Sequence, residues 1–159
     1  MGKTTVISVQ NVTKTFGKVI GAKDISFTVE KGEIFGFLGP NGSGKTTTIR
    51  LLLDLLRPDS GTIELFGKNL NDHSFEIRQK CGYLPGNFSA YGNLTGHQFL
   101  SLLASFRKVK NYSQPDLYER LGVSDFDLKR KIKHLSHGTM QKLGIIQAFT
   151  SHQLRLILL

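Results

Sequence analysis

The chain has 159 residues, of which 39% are hydrophobic and 21% are charged, a balance typical of soluble globular domains. No apolar run approaches the roughly 20 residues that cross a bilayer, no secretory signal is visible, and the single cysteine excludes an internal disulfide and favours a reducing compartment. The net charge of +9 suits an anionic partner, but the densest basic run, residues 129–134, has no RNA-type aromatic motif beside it, so we interpret it as a solvated face and expect no nucleic-acid partner.

Alternating apolar residues predict strands in the first part of the chain. Residues 6–12 place Val6, Ser8, Gln10 and Val12 on one face and Ile7 and Val9 on the other, and residues 25–29 alternate in the same way. A turn at residues 30–33 follows. The continuous apolar run 34–38 then predicts a short buried strand.

Residues 39–47 read Gly-Pro-Asn-Gly-Ser-Gly-Lys-Thr-Thr and match the phosphate-binding loop pattern G-x-x-x-x-G-K-[ST]. Glycines let backbone N–H groups approach a phosphate closely, and the N-terminus of a following helix adds unpaired donors and partial positive charge. Lys45 adds a full charge near the β- and γ-phosphates, and Thr46 is the candidate Mg²⁺ ligand. The candidate nucleotide-binding residues of this loop are Gly39, Pro40, Asn41, Gly42, Ser43, Gly44, Lys45, Thr46 and Thr47.

The alternative for this loop is a flexible glycine-rich turn without a ligand. Its flanks favour the nucleotide-binding interpretation, because a predicted strand precedes it and a helical stripe follows it. That stripe consists of Ile49, Leu52, Leu53 and Leu56.

Further elements follow the loop in chain order. The sequence predicts a turn at 57–61, strands at 62–66 and 82–85, a helix beginning with the capping box Thr95–Gln98, a short helix 115–121 stopped at Gly122, a helix from about 138 to 150 and a buried strand at 154–159. Early strands, a phosphate-binding loop, a helical insert and a return to strand predict an α/β domain with an inserted helical subdomain.

Taken in order, these residues resemble the nucleotide-binding domain of ATP-binding-cassette (ABC) transporters over nearly the whole chain. Phe16 stands where that family places an aromatic residue that stacks on adenine, and a flat apolar ring suits this role. The alternative is a core phenylalanine near the end of a strand.

Residues 135–142, Leu-Ser-His-Gly-Thr-Met-Gln-Lys, resemble the ABC signature Leu-Ser-Gly-Gly-Gln. Ser136 and Gly138 match it, whereas His137 and Thr139 depart from the commonest form. The resemblance implies that Ser136, His137 and Gly138 contact the γ-phosphate of ATP held on a partner subunit. The alternative is that Ser136 simply caps an ordinary helix.

Gly86 stands where most ABC domains carry a glutamine that contacts Mg²⁺ and links to the membrane domain. Glycine has no side chain for either task, and Asn87 could coordinate only through its amide oxygen. A Leu-Pro-Gly segment at this point, together with the residues after Ser136, resembles the multidrug and antibiotic exporter subset of the family.

The resemblance implies a P-loop NTPase core sheet with an N-terminal antiparallel β subdomain and an inserted helical subdomain. It divides the chain into a β subdomain and P-loop core (about 1–80), a helical subdomain with the signature (about 87–150) and the start of the Walker B strand (154–159). In the family that strand is followed by a metal-orienting Asp and a catalytic Glu, and later by a switch histidine. These are not among the 159 residues, so we expect a chain truncated before the Walker B aspartate, without catalytic residues and without ATP hydrolysis.

One core strand of the family, between the P-loop strand and the last one, is also not among these residues. We therefore expect an unsupported strand edge and low stability.

The function implied is the ATP-binding subunit of a membrane exporter. ATP and Mg²⁺ are the expected cofactors, and a second ATP-binding subunit in a head-to-tail dimer and an integral membrane permease are the expected partners. The expected location is cytoplasmic, peripheral at the inner face of the membrane. Two alternatives stay open: a soluble non-transport ABC protein in translation or DNA repair, and a degenerate ATP binder that does not hydrolyse.

Overall fold

The computed structural model describes residues 4–107, 109, 112–150 and 154–158, and the chain forms two compact units, Met1–Arg78 and Gln79–Leu159. The first unit is built on a four-stranded antiparallel sheet in the order β2-β1-β3-β4. The strands are β1 (Thr5–Phe16), β2 (Val19–Glu30), β3 (Ser60–Leu65) and β4 (Lys68–Asn69). The three strands predicted around residues 6–12, 25–29 and 62–66 are therefore confirmed.

The prediction that Val12 lies on the face of β1 opposite Ile7 and Val9 was wrong. Ile7, Val9 and Val12 are all buried together, because the pairing with β2 shifts between Val9 and Val12. Asn11 sits in this irregularity with φ 49°, the left-handed region that Asn tolerates better than most residues. One extra residue in a strand reverses the alternation beyond it, so Val12 joins the core face.

Two helices complete the first unit. Helix α1 (Lys45–Leu52) buries Leu51 and Leu52, and Leu53 is its C-cap, so Leu56 of the predicted stripe lies beyond its end. Helix α2 (Leu70–Gln79), which the sequence analysis did not predict, buries Leu70 and Ile77 and is kinked at His73.

The predicted buried strand at residues 34–38 is absent from the structure, where residues 33–40 have no regular secondary structure. Phe35 stacks on Phe27 of β2 with ring centroids 5.2 Å apart, while Ile34 and Leu38 on the other side are 101% and 92% exposed. The segment thus packs through one face. A strand needs backbone partners along its edges, and none of the described strands pairs with this run.

The second unit is helical, and its described residues include one pair of parallel strands, β5 (Cys81–Tyr83) and β6 (Leu156–Leu158). Its helices are α3 (Gly96–Phe106), α4 (Pro115–Leu121), α5 (Asp125–Lys129), the 3₁₀ turn Ile132–His134 and α6 (His137–Phe149). The predicted capping box at Thr95 and Gln98 and the helix stop at Gly122 are confirmed. Of the predicted last strand, Leu159 lies outside the described residues.

A single apolar cluster holds these helices together. Its buried members are Phe88, Phe99, Leu100, Tyr118, Val123, Leu128, Ile132, Leu143 and Ile146. Helix α6 contributes two of them, so the residues at its N-terminus are carried on a firmly packed element. Within the described part of the chain, no helix combines the length and the apolar character that a membrane span requires.

Candidate nucleotide-binding site

The phosphate-binding loop of the first unit needs glycine at the point where the loop meets α1. Gly44 caps the helix with φ 89°, in the left-handed region. A β-carbon on Gly44 would lie 2.5 Å from the carbonyl oxygen of Gly21 on β2. Backbone conformation and a close backbone neighbour thus independently demand glycine here.

The side chain of Lys45 is hydrogen-bonded to the start of the loop. Its Nζ donates to the carbonyl oxygen of Gly39 at 2.6 Å and to that of Pro40 at 2.7 Å. The N–H of Ser43 also donates to the carbonyl of Pro40, at 3.2 Å. The Lys45 side chain therefore ties the two ends of the loop together and places an ammonium group against it, and a phosphate chain needs positive charge there.

The three threonines after Lys45 differ in what their hydroxyl groups can do. Thr48 is buried and its Oγ1 donates to the carbonyl of Gly44 at 3.0 Å, so this hydroxyl serves the helix. Thr47 is half-buried, and Thr46 is exposed at the helix start. Of the three, Thr46 best suits the Mg²⁺ role that the motif gives it. Within the described residues no cluster of His, Cys, Asp or Glu side chains is arranged to hold a metal by itself.

Phe16 lies beside the phosphate-binding loop, although 28 residues separate it from Gly44. A β-carbon on Gly21 would be 2.5 Å from Cε2 of Phe16 on one side and 3.2 Å from Cγ2 of Thr47 on the other. The ring and the start of α1 therefore both rest on the bare backbone of Gly21. Phe16 is 46% exposed, so it is not the buried core residue of the alternative interpretation.

Gly21 is the residue of this site that the sequence analysis missed. A glycine inside a strand signals a close approach of another backbone or ligand, and that signal was available. Val19, which pairs with Phe16 across the hairpin end, is more than half exposed, as is Ile20 after it, so the ring of Phe16 stands in an open part of the sheet.

The signature-like residues lie in the second unit, at the N-terminus of α6. Ser136 caps the helix, because its Oγ accepts from the N–H of Thr139 at 3.1 Å, so the capping interpretation is correct as far as the helix is concerned. His137 and Gly138 in the first turn are exposed. A β-carbon on Gly138 would meet nothing closer than the Ser136 Oγ at 3.9 Å. The chain itself therefore gives no steric reason for glycine at this position.

The segment after β5 packs against the far half of α6. Gln147 donates to the carbonyl of Tyr83 at 2.7 Å, and a β-carbon on Gly144 would collide with Leu84 at 2.6 Å. Gly86 and Asn87 are exposed, so the turn faces solvent just after the residues that contact α6.

Cys81 is a poor nucleophile in this arrangement. It is buried, and burial raises the pKa of its thiol to about 11, so the reactive thiolate is suppressed. Arg107 donates to the carbonyl groups of Cys81 and Thr150. Burial lowers the pKa of Arg107 below its usual value, and the carbonyl oxygens solvate the charge.

The fold and the P-loop define a nucleotide-binding domain, and comparison with known proteins places it in a family. Residues 22–159 match the model of the ABC transporter family, so the chain belongs to that family. This confirms the family resemblance and the α/β P-loop fold class drawn from the sequence.

Several ABC transporter ATP-binding proteins are similar to the chain in sequence. The chain is 41% identical over 136 residues to an uncharacterized ABC transporter ATP-binding protein of Nostoc, covering 82% of this chain and 40% of that one. It is 36% identical to the bacitracin transport ATP-binding protein BcrA of Bacillus licheniformis, covering 97% of this chain and 50% of BcrA. It is 37% identical to the probable multidrug ABC transporter ATP-binding protein YbhF of Escherichia coli, covering 89% of this chain and 25% of YbhF. The chain thus spans half or less of the length of these relatives.

Solved structures agree with the fold. An ATP-binding subunit of an ABC transporter superposes with a TM-score of 0.81 at 28% identity, covering 91% of this chain and 62% of that one. The dimeric bacterial ABC transporter cassette MJ0796 gives a TM-score of 0.78 at 24% identity, covering 91% of this chain and 69% of that one.

Proposed function

We propose that the chain is the ATP-binding portion of an exporter subunit and that residues 39–47 hold the phosphates of MgATP. The observation that carries this is the assembly around Gly21, which brings the exposed ring of Phe16 beside the loop closed by Lys45. An aromatic platform next to a phosphate cradle fits a nucleotide with a base at one end and a triphosphate at the other. Thr46 would supply the hydroxyl ligand to Mg²⁺.

A second part of the proposal concerns Ser136, His137 and Gly138. We assign them to the triphosphate of an ATP molecule bound to a second ATP-binding subunit, in a two-fold head-to-tail dimer. Support comes from the first turn of α6, where His137 and Gly138 are exposed and a β-carbon on Gly138 would meet nothing closer than Ser136 Oγ at 3.9 Å. The MJ0796 cassette is described as a dimer.

The transport role rests on the relatives, because BcrA is named for bacitracin transport and YbhF for multidrug transport. We propose a membrane permease as the partner and the inner face of the membrane as the location. A groove of about 450 Å³ beside Gly86 is lined by aromatic and aliphatic side chains and offers a surface for such a partner. These side chains are Pro85, Phe88, Ala90, Tyr91, Phe99 and Leu103, and the polar Ser89 and Gln147 complete the lining.

We also propose the domain limits of the sequence analysis as functional parts. Residues 1–80 would bind the nucleotide, residues 87–150 would carry the signature, and residues 154–159 would begin the Walker B strand.

ATP binding is the part to test first. Equilibrium binding of MgATP should weaken at least tenfold in Lys45→Ala, because the loop loses its ammonium group. Lys31→Ala is the matched control, since Lys31 is an exposed lysine in the turn after β2 and should leave the affinity unchanged. Equal affinity of the two variants would rule out the P-loop as the ATP site.

A further inference from the structure

We propose that Asp59 is a positioning residue of the nucleotide site, which fixes the end of β1 so that Phe16 presents its ring to the base. The inference rests on the proposed ATP-binding function and adds to it a residue that lies outside both the P-loop and the aromatic position.

The end of β1 lacks a strand partner on one side. The pairing of β1 with β3 ends at Thr13 and Ser60, whereas the pairing with β2 continues to Phe16 and Val19. The three residues 14–16 therefore have β2 on one edge and no β3 residue on the other. Without further contacts, a two-stranded hairpin end of this kind is only marginally ordered.

Asp59 supplies the missing contacts from the residue just before β3. Its Oδ2 accepts from the backbone N–H and from the Oγ1 of Thr15, both at 2.7 Å, and its Oδ1 accepts from Nζ of Lys14 at 2.7 Å. Its own N–H donates to the carbonyl of Thr13 at 2.8 Å. One residue thus binds all three positions that precede Phe16.

The same network reaches the ring of Phe16. Nζ of Lys14, held by Asp59, lies over the ring at 5.9 Å from its centroid. That ammonium occupies one face of the ring, and the backbone of Gly21 abuts the ring edge. A stacking base is left with the opposite face, so Asp59 helps to determine both where the ring stands and which face is free.

The charge on Asp59 is maintained at neutral pH. The hydrogen bond from Lys14, followed by those from Thr15, lowers the pKa of Asp59 to about 2. The network is therefore complete over the pH range in which ATP binding is measured.

The test separates affinity for the base from affinity for the phosphates. Kd values for MgATP and for magnesium inorganic triphosphate are measured on the protein, on Asp59→Asn and on Phe16→Ala. Asparagine keeps the shape of the side chain but turns one acceptor into a donor that faces Lys14 or Thr15. We expect Asp59→Asn to weaken ATP about three- to tenfold, part of the effect of a lost base stack, and to leave triphosphate affinity unchanged. The double variant should bind ATP as Phe16→Ala does.

One control variant and one further test variant keep the outcomes distinct. Asp24→Asn removes another carboxylate of the same sheet at a left-handed position that Asn accepts, and it should change neither Kd. Lys14→Met leaves Asp59 in place but removes the ammonium over the ring, and it should reproduce a smaller loss for ATP alone, even if Asp59→Asn does not fold.

Two results would overturn the inference. In one, Asp59→Asn weakens both ligands equally, which indicates a general structural role. In the other, Phe16→Ala weakens ATP while Asp59→Asn and Lys14→Met do not. Failure of the proposed function looks different, because Lys45→Ala would then leave both Kd values unchanged.

Discussion

Helices α1 and α6 both have a glycine at their start, but the two glycines have opposite surroundings. Gly44, at the start of α1, combines φ 89° with a β-carbon position 2.5 Å from the carbonyl of Gly21. Gly138, in the first turn of α6, faces open space beyond the Ser136 Oγ at 3.9 Å. The first glycine is required by the chain's own packing, whereas the second is not. Because the chain's own packing does not require glycine at position 138, this residue is compatible with the close approach of the partner's ATP proposed above.

Gly44→Ala should have the largest effect. Alanine at this φ, against a backbone oxygen that cannot move aside, should cost about 1–3 kcal/mol of unfolding free energy and distort the loop. Urea unfolding measures the first effect, and MgATP binding, expected to fall at least tenfold, measures the second. Gly36→Ala is the control, because a β-carbon there meets nothing within 4 Å. Similar losses in both variants would remove the distinction drawn for Gly44.

Gly138→Ala should separate stability from function. Alanine in the first turn of α6 meets no internal obstacle and should raise the unfolding free energy by about 0.5–1 kcal/mol. The same methyl group should block ATP-dependent association of two subunits, measured by light scattering with and without MgATP. If the variant associates normally, the case for an outside partner at this turn is lost.

Ser136→Ala should lower stability by about 1 kcal/mol, since it removes the acceptor for the N–H of Thr139. Ser136→Asn keeps a capping oxygen and should unfold like the unsubstituted protein. The pair tests whether Ser136 is needed only as a cap. Should ATP-dependent association persist in Ser136→Asn, the cap alone would account for this residue.

The smallest predicted effect is on the pH dependence of folding stability. Because the folded-state pKa of Asp59 is lowered to about 2 from 3.8, its stabilising contribution is fully present above pH 4 and is lost as the pH falls through about 2. Asp59→Asn should flatten the loss of stability between pH 4 and pH 2, as followed by thermal unfolding. An unchanged slope would show that the network around Lys14 and Thr15 adds nothing in solution.

Local signals in the sequence were sufficient for much of this fold. The P-loop pattern, the Thr95 capping box and the stop at Gly122 depend on neighbouring residues alone, and each element stands where its pattern predicts. Where the prediction depended on distant partners it was less successful. Residues 34–38 have the composition of a buried strand but no ladder partner among the described strands, and composition cannot supply one.

Two short helices were missed for related reasons. Helix α5 has five residues, too few for periodicity to reveal, although its Ser124–Asp127 capping box was visible in the sequence. Helix α2 is interrupted at His73, which breaks the apolar spacing. Phe16 and Thr47 both approach Gly21 because of how β2 meets α1; the glycine within a strand signals a close approach, but no local pattern says which residues make it.

Helix α6 connects the signature-like residues with the segment around the end of β5. Its 13 residues form one continuous helix about 20 Å long. Ser136 caps one end, and Gln147 near the other end is hydrogen-bonded to the Tyr83 carbonyl. Because Gly144 has no side chain, the helix packs directly against Leu84. One continuous helix thus joins the Ser136 end to the segment just before Gly86, through the Tyr83 carbonyl and the Leu84 side chain.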